Sequence, residues 1–184
     1  MTTELTIEHA LLGYLRRSPM HGYEIYQHMS DPNGLGLVWV VKQSRLYALL
    51  AGLEKEGYIE AVLEPQESRP PRKVFHLTES GEKVFLNWVQ SPVPHGRQIR
   101  LDFLVKVYFA QQEGPETVAR LLQRQRLTCE SWSARLQESA GSLENEQAYT
   151  ALVYEFRRQQ IRAILDWLAA SEQRLAAGAF EVQA

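Results

Sequence analysis

Leu46, Leu49, Leu50 and Leu53 fall at i, i+3, i+4 and i+7, and Gly57 follows where a helix would stop. A stripe of that kind belongs to one helix and has to be buried against other elements. Projected at about 100° per residue, Ser44, Arg45, Ala48, Gly52 and Lys55 fall on the opposite side. That side is small along its length, and Lys42-Gln43-Ser44-Arg45 places hydrogen-bonding groups at its amino-terminal end. A helix that enters a nucleic-acid groove needs both properties. Gly52 costs about 1 kcal/mol against alanine in a helix interior, so close packing or close approach would explain it. An ordinary solvated face carrying one weak residue is the alternative.

The neighbouring segments set the context of this helix. Thr6–Arg17 places Ile7, Leu11, Tyr14 and Leu15 at helical spacing, with Thr6 as N-cap. Ser18-Pro19-Met20-His21-Gly22 breaks it, a second helix runs over Gly22–Met29, and Asp31-Pro32-Asn33-Gly34 is a turn. After the leucine helix, Tyr58–Leu63 alternates as a half-buried strand with Ile59, Ala61 and Leu63 on one face. Arg72–Leu77 is a second strand. Between them, Glu64–Pro71 is too polar and proline-rich for either element. Thr78-Glu79-Ser80-Gly81 opens a fourth helix with Val84, Phe85, Trp88 and Val89. Helix, helix, helix, strand, long tip, strand, helix is the order of a winged helix-turn-helix.

The tip concentrates Arg69, Arg72 and Lys73, stiffened by Pro65, Pro70 and Pro71. Guanidinium groups bind phosphate bidentately, so such a hairpin suits a DNA backbone or minor groove. Glu64 and Glu67 oppose this unless they point elsewhere. Residues 1–92 hold 9 Lys+Arg against 11 Asp+Glu, and the whole chain has a net charge of −2. Any field that attracts DNA must therefore be local.

Ser91-Pro92-Val93-Pro94-His95-Gly96 reads as a hinge, dividing a DNA-binding domain over 1–92 from a helical dimerisation domain over 93–184. A helix from Pro115 to about Ala140 carries Val118, Leu122, Cys129, Trp132 and Leu136, a coiled-coil-like stripe that Gln125 interrupts. Glu144–Ala177 forms a second helix. Its apolar positions, among them Tyr149, Leu152, Phe156, Ile164, Trp167 and Leu168, span a wide arc that needs neighbours on several sides. A second copy of the chain is the simplest source of them. Arg97–Gln112 is expected to pack between head and dimer helices and to transmit any signal.

Other function classes find little to rest on. The longest uncharged run, Val84–Gly96, is thirteen residues with two prolines, against about 20 for a membrane span. Met1-Thr2-Thr3-Glu4 lacks the basic and apolar regions of a signal peptide, so the expected location is cytoplasmic. Cys129, the single cysteine, excludes an intrachain disulfide and reads as a buried small residue rather than a nucleophile. The histidines form no ligand pair on a helix, and Gly34-Leu35-Gly36 is no phosphate loop. The expectation is a protein without catalytic residues, metal or cofactor.

The series His21-Gly22-Tyr23-Glu24-Ile25, Leu46-Tyr47, Leu53-Glu54-Lys55-Glu56-Gly57-Tyr58-Ile59 and Leu77-Thr78-Glu79-Ser80-Gly81 resembles the PadR family of bacterial transcriptional regulators. Val62–Glu67, Arg72-Lys73-Val74-Phe75, Trp88 and the long helical carboxy-terminal region are similar to its virulence-activator, AphA-like branch. The resemblance implies a mainly α fold with a small β-hairpin and a homodimer acting on double-stranded promoter DNA. It also places Tyr47 at the DNA backbone and suggests a small aromatic effector held between head and dimer helices, where the four tryptophans would otherwise be core. Lys42, Gln43, Ser44, Arg45, Tyr47, Arg69, Arg72 and Lys73 are the candidate DNA contacts. The sequence departs from the family at Lys42–Arg45, where many members have a small-residue and proline turn, and at Gly52, where a basic residue is usual. Operator sequence therefore does not carry over. The alternative from another class is a winged-helix module that binds a basic protein.

Overall fold

The computed structural model describes residues 2–66, 69–141 and 148–176. The chain forms two compact units, the first made of residues 1–89 with 104–109, the second of 90–103 with 110–184. In the first unit the order is α1 (Thr2–Arg17), β1 (Met20–His21), α2 (Gly22–Met29), α3 (Gln43–Lys55), β2 (Ile59–Gln66), β3 (Arg69–Leu77) and α4 (Glu79–Val89). The three strands form an antiparallel sheet in the order β1-β3-β2. This is a winged helix-turn-helix, and with the helical second unit the chain is mainly α with one small sheet.

α3 keeps its apolar stripe inward: Leu46, Leu50 and Leu53 are buried, and Leu49 is half-buried. They meet Ile7, Leu11, Tyr14 and Leu15 of α1, Ile25 and Met29 of α2, and Phe85 and Val89 of α4 in one core. Gly57, at φ 75°, ends the helix in a conformation that L side chains rarely adopt. Thr78 starts α4 by accepting the Gly81 N–H on its hydroxyl at 3.2 Å. Tyr14 is wholly buried and donates to the His28 carbonyl at 3.1 Å. Burial, with Tyr108 beside it, pushes its phenol well above the ordinary range. The segment Leu104–Phe109 of α5 (Leu104–Gln112) belongs to this unit, with the Phe109 ring edge-on to Tyr14 at 5.2 Å and to Phe85 at 5.7 Å.

Several local expectations change. Thr6 is not an N-cap, because α1 begins at Thr2 and Thr6 lies buried inside it. The stretch 64–71 is not an irregular tip: β2 runs to Gln66 and β3 starts at Arg69, leaving 67–68 outside the described residues. The pairing Glu64↔Arg72 is followed by Gln66↔Arg69, so Pro65 faces both Pro70 and Pro71 across a bulge. Their missing N–H groups are tolerated because β1 pairs only with Phe75 and Val74 of β3. Beyond that point β3 has an open edge among the described residues. Leu63 is 67% exposed although Ile59, on the same face, is buried, so the expected apolar face is covered at the start of β2 and open toward its end.

The second unit contains α6 (Pro115–Gly141) and α7 (Ala148–Ala176), which pack on one another. The remainder of the expected helix, 144–147 and 177, lies outside the described residues. Gln125 does not interrupt the α6 stripe but is itself wholly buried. Its Oε1 accepts from the Val93 N–H at 2.7 Å and its Nε2 donates to the Val93 carbonyl at 3.3 Å. The side chain thus mimics a strand partner for the one residue between Pro92 and Pro94 that has both backbone groups to offer. Cys129, in contact with the same amide at 3.7 Å, is buried, and burial raises its thiol. Ile164, Leu168 and Ser171 are the buried residues of α7. Tyr149 (77%), Leu152 (69%) and Phe156 (65%) remain exposed along it. Among the described residues no helix is long and apolar enough to cross a membrane.

Candidate nucleic-acid interface

α2 is the brace of the helix pair. His21 precedes it in extended conformation and accepts the Glu24 N–H on Nδ1 at 3.1 Å, a histidine used as an N-cap. Gly22 follows because a Cβ there would come within 2.5 Å of the Tyr47 ring. Tyr47 of α3 therefore packs against the start of α2 through its Cε1, Cζ and hydroxyl atoms, yet stays 42% exposed. Contact at Gly22 leaves much of the side chain accessible, so packing and an outward role are compatible.

Lys42 caps α3 without a side-chain hydrogen bond, and Lys42, Gln43, Ser44 and Arg45 are all exposed. The first-turn amides carry the positive end of the helix dipole, which attracts phosphate. Farther along the outward side lie Ala48, Ala51 and Lys55, exposed, and Gly52, where an added Cβ would meet nothing within 4 Å. Packing inside the chain does not explain Gly52. What remains of its two readings is approach by something outside the chain or simple tolerance.

Tyr47, Arg72 and Lys73 line one cleft of about 570 Å³ with Gly22, Ala51 and Phe75, joining α3 to the hairpin. Arg72 and Lys73 are each paired. Arg72 donates from Nε and Nη2 to Glu64 Oε2 at 3.2 and 3.1 Å, and Lys73 Nζ lies 2.6 Å from Glu54 Oε2 of α3. All four side chains are a third to a half exposed, so each pair contributes at most about 1 kcal/mol. A phosphate can displace such a carboxylate. The β2–β3 register sets Glu64 directly opposite Arg72, so Glu64 does not point elsewhere. The side chain of Arg69, like Glu67, is outside the described residues. Sequence reasoning missed Glu54, because its partner lies nineteen positions away and no local pattern links them. It also left Tyr23 unassigned, which is 51% exposed at the cleft. Its place opposite Ile25 and Met29 on α2 was the available signal.

Residues 11–87 match the transcriptional regulator PadR-like family, and residues 99–176 match the virulence activator alpha C-terminal family. The negative transcriptional regulator PadR of Bacillus subtilis is 28% identical over 146 residues, 77% of this chain and 75% of that protein. A probable transcriptional regulator of Mycobacterium tuberculosis is 25% identical over 89 residues, covering 48% of this chain and 46% of its own. Among solved structures, Bacillus subtilis PadR in complex with operator DNA aligns over 90% of this chain and 97% of its own, at 24% identity and a TM-score of 0.46.

Proposed function

Because the chain belongs to the PadR-like family of transcriptional regulators, we propose that it binds promoter DNA as a homodimer in the cytoplasm, with α3 in the major groove and the β2–β3 hairpin on the backbone or in the minor groove. The family is one of regulators rather than enzymes. In this reading residues 1–92 bind DNA and 93–184 pair the two copies. Lys42, Gln43, Ser44 and Arg45 meet base edges and phosphates, while Tyr47, Arg72 and Lys73, with Arg69, hold the backbone.

The observation that carries the proposal is the outward side of α3. Buried leucines anchor the helix from behind, and small residues leave the front clear below an exposed basic and amide-bearing first turn. Pairing is supported by Tyr149, Leu152 and Phe156, an exposed apolar row at 3- and 4-residue spacing on α7. Two heads about one DNA turn apart, roughly 34 Å, read a palindrome together. Modulation by a small aromatic effector is part of the same reading, supported by Trp132 and Tyr154, which share a groove of the second unit.

The test is salt-dependent binding to DNA fragments flanking the protein's own gene. Affinity should fall by orders of magnitude between about 50 and 200 mM salt. Arg45→Ala should cost about 1–3 kcal/mol on the specific site only, whereas Arg72→Ala should weaken all duplexes alike. If both variants bind like the parent, the head is not the DNA-binding surface.

A further inference from the structure

The second unit carries a groove of about 610 Å³ that the DNA-binding surface does not use. Its walls hold His95 and Arg97 from the segment after α4, Trp132 and Arg135 from α6, and Tyr154 and Arg157 from α7. Each long helix makes the same contribution: an aromatic residue, then an arginine three positions on, hence on the same face one turn away. Two aromatic–guanidinium pairs thus face one space from two helices, and a third guanidinium and an imidazole come from the segment after α4.

The charge pattern is selective. Among the described residues no aspartate or glutamate lines the groove, in a chain whose net charge is −2. Elsewhere on the same helices arginines find carboxylates: Arg126 pairs with Glu130 and Glu172, and Arg158, the neighbour of Arg157, pairs with Glu155. Among the described residues Arg97 and Arg157 have no carboxylate partner, and Arg135 donates only to the carbonyl and hydroxyl of Ser131, at 3.3 and 3.1 Å. The Cβ of an alanine at Gly96 would stand 3.8 Å from Gln160 and 3.9 Å from Trp132, both ordinary contact distances.

The geometry points to a binding site for a flat aromatic ligand with two or more negative charges, the chemistry of an aryl phosphate or a nucleotide. Guanidinium groups engage phosphate oxygens bidentately and stack on aromatic faces. Three of them with an imidazole exceed what one carboxylate can occupy. Trp132 and Tyr154 supply π faces for the ligand's ring, and the volume lies in the range of small-molecule sites, about 300–1,000 Å³. This deepens the effector reading and rests on it for regulatory meaning, so binding is measured on the full chain without DNA.

The experiment is calorimetric titration with 1-naphthyl phosphate, 1-naphthoate, 1-naphthol and inorganic phosphate. The expected result is one site per chain for naphthyl phosphate, weaker binding of naphthoate, and binding of naphthol and of inorganic phosphate each at least about tenfold weaker. Arg157→Gln and Trp132→Leu should each weaken naphthyl phosphate by about tenfold, with thermal melts confirming that they fold. Arg162→Gln, an exposed position of α7 outside the groove, should bind like the parent. Three results overturn the inference: naphthol binding as tightly as naphthyl phosphate, Arg157→Gln binding like the parent, or no binding by any probe. A fourth is dissociation of the oligomer by Arg157→Gln in light scattering, which would make the groove an interface between copies. Protein that binds naphthyl phosphate but no promoter DNA would refute the regulator reading and leave the site standing.

Discussion

Gly52 offers a perturbation whose effects on stability and on DNA binding separate cleanly. It sits in the interior of α3, and an added Cβ meets no heavy atom within 4 Å. Replacement by alanine therefore gains the full helix-propensity difference, about 0.8–1 kcal/mol, and by lysine somewhat less. For a chain of 184 residues a gain near 1 kcal/mol raises Tm by about 2–4 °C. Lysine also restores a cation on the side of α3 that the proposal turns toward DNA. In a homodimer it adds two phosphate contacts, steepening the dependence of log K on log salt by about 1.8. The variant's advantage over the parent should then shrink about twelvefold between roughly 50 and 200 mM salt. Thermal melts give the first quantity; titrations of a labelled duplex at several salt concentrations give the second. Gly52→Ala should raise Tm and leave the salt slope alone, which isolates charge from helix propensity. A Gly52→Lys protein that melts higher but shows the parent's slope would refute the placement of this face on DNA. Lower stability in both variants would refute the open environment of Gly52.

Four further outcomes follow from packing. Gln125→Leu leaves the Val93 N–H and carbonyl unpaired next to a wholly buried site and should cost about 2–4 kcal/mol in denaturant unfolding. Gln125→Glu keeps an acceptor for the N–H but sets a carboxylate against the carbonyl, so its folded pKa should rise above the unfolded value near 4.3. The folded state then holds the proton more tightly, so the variant should come closest to the parent in acid and lose stability as pH rises through the raised pKa. Equal losses at all pH values would refute the two-bond geometry. Gly81→Ala would place its Cβ 2.1 Å from the Tyr58 carbonyl oxygen, which forces the backbone apart and should cost at least about 1–3 kcal/mol; a parent-like melting curve would contradict it. Cys129 is buried with its thiol pushed up, so native protein should resist alkylation that goes to completion in denaturant, and rapid native labelling would show an open site.

Much of the fold is written in short-range patterns. The stripe of Leu46, Leu50 and Leu53, the helix at Gly22–Met29, and the start of α4 at Thr78 depend on neighbours within a turn or two, where periodicity and capping act directly. The residues that make the candidate interface are legible for the same reason, since Lys42–Arg45 follow from the phase of one helix. Tertiary structure decided what depends on partners distant in the chain. The two-residue strand Met20–His21 exists only through Phe75 and Val74. Pro65, Pro70 and Pro71 become strand residues only because a bulge and an open edge excuse their missing donors. The neutralisation of Lys73 by Glu54, and the conversion of Gln125 from an apparent interruption into the anchor of Val93, likewise join positions nineteen and thirty-two residues apart. Such contacts leave no periodic trace, because their energy depends on where the folded chain returns rather than on which residue comes next.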